Sequence, residues 1–274
     1  MEGMREAVRD HYDKCSWLYL KLWGPHIHHG YWDGDEPAGV AQIRLVEELA
    51  RAARIEPGSS VLDAGCGLAG SGVWLAENRD CTVTGVTISP AQARLARRRV
   101  KAENADGKVD VLLADLESLE LPKAGFDAVW SVECTEHLSD KEKFIAKAAG
   151  WLKPGGVMAF CAWTPAHNLE AALHARHIRP VCEAFVCPSL ASRDEYAGWM
   201  EWSGLRVEKA EDWTGKTLKT WEICLERTDK WWVRAAARWL GPETRLFLNS
   251  FQTILDAYRS GALEYSVIVA RKPA

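Results

Sequence analysis

The chain has 274 residues, a formal net charge of -4, 47% hydrophobic and 26% charged residues, which suits one large α/β domain and excludes a disordered polyelectrolyte. The negative balance lacks the positive field that nucleic-acid binders use to displace counterions, so DNA and RNA are not expected partners. No apolar run approaches the roughly 18 to 20 residues of a membrane-spanning helix, so any membrane contact is expected to be peripheral.

A polar, helical start over residues 2–23 leads into "HIHHGYWDGDE" (26–36), which sets three histidines beside two aromatics and three acids. "GVAQIRLVEELARAARI" then repeats apolar residues every three or four positions, the pattern of an amphipathic helix. "EPGSS" ends it. "VLDAGCG" begins a strand, followed by a helix over 71–77, the strand "CTVTGVTI" and a helix entered through Ser89 and Pro90 that runs to about residue 104. The alternation continues with "KVDVLLAD" and "FDAVWSV" as strands, "DKEKFIAKAAGWL" as helix, "KPGG" as turn and "VMAFCAW" as strand. Strands alternating with helices over 61–163 predict parallel strands with right-handed crossovers in an open, doubly wound sheet. Residues 164–203 and 214–261 read as helical and Trp-rich, interrupted by the strand "LRVEKAEDW" and followed by "EYSVIVARKP". These helices are expected to cover the carboxyl ends of the strands, where open α/β sheets bind ligands. Most of the 14 tryptophans fall after residue 150, which suits a core or a pocket for a bulky apolar ligand.

The eight cysteines contain no C-x-x-C pair and read as reduced thiols, from which a cytoplasmic location is expected. Cys182 and Cys187 have no partner pair for zinc. The basic run "ARLARRRVK" sits toward the carboxyl end of its helix and reads as a solvated face.

The turn at Gly65, Cys66 and Gly67 lets backbone approach a cofactor at a helix amino end, and Asp63 stands where a carboxylate could face an amino group. A dinucleotide site wants an acid about 20 residues further on, yet that strand ends Gly85-Val86-Thr87-Ile88-Ser89. A nicotinamide-dependent oxidoreductase is therefore the lesser alternative.

Taken in order, "DAGCG", Asp115 after the third strand, "FDAVWSVECTEHL" and "LKPGG" resemble the class I S-adenosylmethionine-dependent methyltransferases over almost the whole chain. "GVTISPAQ" resembles the tocopherol methyltransferase-like and cyclopropane-synthase-like groups, which carry a threonine where other members have an acid. The resemblance implies a mostly parallel, seven-stranded Rossmann-like sheet with helical cap insertions and an N-terminal helical lid. It implies S-adenosylmethionine as cofactor, held by Tyr12, Asp63, Gly65, Cys66, Gly67, Thr87, Ile88 and Gln92, with Asp115 and Leu116 at the adenine edge and Ser131 beside it.

"HYDKCSWLYLKLWGPHIHHGYW" resembles the N-terminal segment of the tocopherol methyltransferase-like enzymes through Tyr12, Asp13, Ser16, Trp23, Gly24, His26, His28, His29, Gly30 and Tyr31. "SVECTEHLSDKEKF" resembles the same group through Glu133, Glu136 and His137. Three readings of the histidine stretch stay open, in the order active-site lid, structural turn, metal site. Methyl transfer needs no metal in principle, and adjacent His28 and His29 point apart in an extended segment, so no metal is expected. In the lid reading Tyr12 touches the cofactor while the histidines and Tyr31 line the acceptor pocket. Catalysis is assigned to His137 or Glu136 as general base or cation stabiliser, with Glu133 and His29 beside them. The expected partner is a small, largely apolar phenol, amine or isoprenoid methylated at O, N or C, and a homodimer is allowed. A cofactor-binding relative that regulates or cyclises without methylating is the other reading. The expected division is one domain: lid 1–37, cofactor core 38–163, cap 164–262 with the sixth strand, last strand 263–274.

Overall fold

The computed structural model describes residues 2–228 and 242–274, so part of the helical stretch expected over 214–261, residues 229–241 with Trp231, Trp232 and Trp239, lies outside the described residues. Helix α1 (Glu2–Leu22) and α2 (Ala38–Ala53) precede the alternation β1 (Ser60–Ala64), α3 (Gly70–Arg79), β2 (Thr82–Thr87), α4 (Pro90–Ala102), β3 (Val109–Leu113), β4 (Phe126–Val132), α5 (Lys141–Trp151) and β5 (Leu152–Pro165). Strands β6 (Arg206–Asp212) and β7 (Leu263–Arg271) complete a sheet of order β3-β2-β1-β4-β5-β7-β6. The first five strands pair in parallel and β7 runs antiparallel between β5 and β6. This is the expected seven-stranded, mostly parallel Rossmann-like sheet.

Local chemistry accounts for the elements. Helix α2 buries Leu45, Val46 and Leu49, the stripe its periodicity predicts. Helix α4 starts where Ser89 Oγ accepts the Gln92 amide, with Pro90 at the first position. Asp140 caps α5 by accepting from Lys143 N. Alternating side chains split the sheet's two faces: Val61 joins one buried cluster and Leu62 the other, as Val267 and Ile268 do on β7. Buried on both faces, these strands are apolar throughout, and each large side chain so buried contributes about 1.5 to 3 kcal/mol.

Two expectations change. "KPGG" is a bulge rather than a separating turn: β5 begins at Leu152, Gly155 takes a φ of +76°, and the register with β4 slips between Phe126 and Ala128. Helix Arg193–Trp202 is not a cap. It buries Tyr196 and Met200 against the sheet face, beside α5, β6 and β7, because its apolar stripe has a core to join. The segments that gather over the site are Arg179–Phe185, Lys219–Thr228 and Pro242–Arg259. No helix among the described residues is long and apolar enough to cross a membrane.

Candidate active site

Three adjoining cavities open at the carboxyl ends of β1, β2 and β4. The largest, with about 740 Å³ of open volume, is walled by Gly65, Gly67, Thr87, Ile88, Gln92, Asp115 and Leu116, and α1 adds Arg5, Val8 and Tyr12. A second, behind the glycine turn, is lined by Asp63, Gly65, Cys66, Gly67, His26 and His28. The third, about 490 Å³, is an aromatic box of Tyr12, Tyr19, Trp23, Trp163, Phe185 and Trp221 that also holds Glu133, Glu136 and His137. Tyr12, Ile27, Glu133 and His137 belong to both the first and third cavities, so these four side chains form their common wall.

The glycines of the turn have different reasons to be glycine. A Cβ on Gly65 would lie 2.3 Å from Cys134, so packing forbids it. A Cβ on Gly67, at φ +52°, would meet nothing within 4 Å, so its bare backbone faces open space a ligand can use. Asp63 is 3% exposed with Oδ2 unpartnered, and burial pushes its carboxyl up to about 7. A bare carboxylate beside a bare glycine turn fits a ligand that brings an ammonium group.

Thr87 Oγ1 donates to Gln92 Oε1 at 2.8 Å, so the pair forms one polar wall. Asp115 is engaged at both oxygens: Oδ1 accepts from Glu117 N at 2.9 Å, and Oδ2 pairs with Arg5 at 3.2 Å. It is therefore both a turn cap and an anchor for α1. Ser131 is the exception among the expected cofactor contacts. It is buried, donates to the Ala64 carbonyl at 2.9 Å and lines none of the three cavities, because the β1–β4 seam claims its hydroxyl.

The histidines separate. His29 donates from Nδ1 to Glu133 Oε1 at 2.9 Å and accepts from Trp221 Nε1 at 2.6 Å, so both ring nitrogens are taken. Glu133 accepts from the His29 amide at 2.7 Å, from Tyr265 Oη at 2.8 Å and from Trp163 Nε1 at 3.3 Å. Burial acts to raise that carboxyl, but His29's ring and amide outweigh it and hold it below the usual range. Glu133 is thus an ionised carboxylate with both oxygens bonded and His29 spends both ring nitrogens around it, so neither is placed to take a proton from an acceptor. His28 and His29 line the aromatic box, but His26 lies behind the glycine turn. Tyr31 instead packs on Trp213 and beneath Lys216, outside the cavities. Among the described residues, no group of three His, Cys, Asp or Glu side chains is arranged to hold a metal ion.

Glu136 and His137 sit on one 3₁₀ turn, Thr135–His137. Glu136 is 1% exposed, accepts the Trp163 amide at Oε1 (2.7 Å) and leaves Oε2 without a partner. Burial, first of all, pushes its carboxyl up to about 8. His137 Nδ1 faces the Val186 carbonyl at 3.3 Å and so carries the proton, leaving Nε2 to accept from Tyr12 Oη at 2.8 Å. Burial lowers this imidazole to about 4, so it is neutral. Tyr12 thus joins α1 to the turn, and Asp13 Oδ1, accepting from Ser89 Oγ (2.5 Å) and Ala91 N (2.9 Å), joins α1 to α4.

Sequence reading missed Arg5, Ile27, Trp163, Trp221 and Tyr265 as parts of the site. The tryptophan excess was the one signal that pointed toward Trp163 and Trp221.

A family model described as mycolic acid cyclopropane synthetase matches residues 2–264. A 27-O-demethylrifamycin SV methyltransferase of Amycolatopsis mediterranei is 33% identical over 96% of this chain and 95% of its own length. The chloroplastic tocopherol O-methyltransferase of Arabidopsis thaliana is 27% identical over 99% of this chain and 83% of its own. Among solved structures, geranyl diphosphate C-methyltransferase from Streptomyces coelicolor, in complex with Mg2+, geranyl diphosphate and S-adenosyl-L-homocysteine, superposes with a TM-score of 0.76 at 20% identity, covering 98% of this chain and 97% of that one.

Proposed function

Because the chain belongs to the mycolic acid cyclopropane synthetase family and is an S-adenosylmethionine-dependent methyltransferase, we propose that it methylates O, N or C of a small, largely apolar acceptor of natural-product type: a phenol, an amine or an isoprenoid. The observation that carries this reading is the common wall of Tyr12, Ile27, Glu133 and His137 between the glycine-turn cavity and the aromatic box. When bound, the cofactor supplies an electrophilic methyl group. The unpartnered Asp63 and bare Gly67 would hold its amino-acid end, and Thr87, Ile88, Gln92 and Leu116 the nucleoside, with Tyr12 and α1 as a lid.

The chain's own part is enclosure, alignment and proton handling. Trp163, Phe185 and Trp221 exclude water and offer π faces to a flat ring or to positive charge developing at nitrogen or carbon. Glu136 is the best-placed base, since Oε2 is free and its proton leaves near pH 8, close to where phenols and amines begin to ionise. The neutral His137 keeps Tyr12 over the wall. The nicotinamide reading is set aside, because Thr87 spends its hydroxyl on Gln92 and no acid replaces it.

Calorimetric binding of S-adenosylhomocysteine, with methyl transfer from labelled S-adenosylmethionine to prenylated phenols and secondary amines, tests the reading. Gly67→Val is expected to abolish binding and transfer in a protein that still melts cooperatively. Undiminished binding in that variant would overturn the site assignment.

A further inference from the structure

We infer that His26 is a cofactor-binding residue whose bare Nε2, together with Asp63, receives the α-ammonium group of S-adenosylmethionine. The inference rests on reading the glycine-turn cavity as the cofactor site.

A chain of hydrogen bonds fixes the proton positions. The His29 carbonyl can only accept, so His28 Nδ1, 2.7 Å away, carries a hydrogen. Burial lowers the His28 imidazole and keeps it neutral, so its Nε2 is a lone pair. His26 Nδ1, 3.2 Å from that nitrogen, must then be the donor. Burial, ahead of the effect of His28, holds His26 far below its usual value, so it too is neutral. Its one proton is spent on His28, and Nε2 is left as an acceptor with no hydrogen bond among the described residues.

That acceptor belongs to a site. His26 is 8% exposed and lines the same cavity as Asp63, Gly65, Gly67, Gly70 and Ser71. The first turn of α3 abuts both side chains: a Cβ on Gly70 would fall 2.6 Å from His26 Nδ1 and 2.7 Å from Cε1 of the same ring, and a Cβ on Gly72 would lie 3.6 Å from Asp63 Oδ2. Glycine at 70 therefore lets the imidazole rest on the start of α3, beside the glycine turn. Among the described residues no lysine or arginine lines this cavity, and Arg99 spends a guanidinium N–H on the Pro25 carbonyl at 3.0 Å. Two bare acceptors, one carboxylate and one neutral imidazole, suit an ammonium: Asp63 neutralises its charge and His26 takes a second hydrogen without adding another negative charge.

The test compares two ligands on one protein. S-adenosylhomocysteine carries the amino-acid end, whereas 5′-deoxy-5′-methylthioadenosine keeps the nucleoside and thioether without it. In His26→Asn the side-chain amide can replace Nδ1 as donor to His28, but nothing stands at Nε2. In His26→Gln the longer side chain can carry its carbonyl oxygen to the Nε2 position. Calorimetry is expected to find His26→Asn weakened about tenfold or more for S-adenosylhomocysteine, with methylthioadenosine changed by less than about twofold, and His26→Gln restoring most of the loss. General loosening of the fold moves both ligands together and leaves their ratio unchanged, and an unchanged ratio in His26→Asn overturns the inference. Failure of the cofactor site itself has a separate signature, namely wild-type binding that Gly67→Val leaves intact.

Discussion

At Glu136 a single carboxyl is asked to stay neutral in the folded protein and still serve a proton-transfer step. Its Oε2 has no partner and its proton leaves near pH 8. For an O–H or N–H acceptor the working form is the carboxylate, so turnover is expected to rise with pH to a shoulder near 8. Glu136→Gln is expected to remove that shoulder and lower kcat by about 10² to 10⁴, with S-adenosylhomocysteine affinity unchanged, as pH–rate profiles and calorimetry would establish. An unaltered profile would move the proton to another group. The residues that sequence reading placed at the glycine turn, such as Asp63 and Gly67, do line the cavities there, because their positions depend on neighbours a few residues away. The role of His29 was not legible in that way, because Glu133 and Trp221, 104 and 192 positions distant, take both of its ring nitrogens. Ser131 shows the converse: its place in a motif suggested a ligand contact, and a neighbouring strand took the hydroxyl instead.

Besides the Tyr12–His137 bond, helix α1 is held to the body at two further points along the large cavity. Near its start, Arg5 pairs with Asp115 and Glu117, an ion pair about a third exposed that contributes at most about 1 kcal/mol. Further along, Asp13 accepts the Ser89 hydroxyl and the Ala91 amide at the head of α4, a capping contact of about 0.5 to 2 kcal/mol. Asp13→Ala is therefore expected to speed S-adenosylhomocysteine dissociation several-fold in stopped-flow measurements, and more than Arg5→Ala does at 150 mM salt, where exposed charges are screened. Equal rates in wild type and Asp13→Ala would mean that α1 does not gate the cavity. Periodicity and caps made α2, α4 and α5 legible. The bulge at Gly155 and the flanking position of Arg193–Trp202 were not, since both depend on the sheet they join.

For the whole molecule, burying Asp63 and Glu136 ties stability to pH. Glu136 titrates at about 4.5 when unfolded and about 8 when folded, so the folded chain holds an extra proton between those values. Its stabilising share is complete below about 4.5 and is lost as pH rises through 8. Glu136→Gln should accordingly melt higher than wild type at pH 9 by more than any difference at pH 5, at roughly 2 to 4 °C for each kcal/mol recovered. Parallel melting curves at the two values would decide it. The doubly wound sheet was readable because strand and helix periods alternate through 61–163. The enclosure of the site was less so, because helices far apart in sequence come together over it. That enclosure has a consequence for how such a chain can diversify. Ile27 borders all three cavities, so a change there disturbs both ligands at once. Tyr19, Trp23, Phe185 and Trp221 border only the aromatic box, so they can be exchanged to suit another acceptor while the half of the site that serves every acceptor stays as it is. New specificities would therefore arise by redecorating one chamber of a two-room house whose shared door stays fixed.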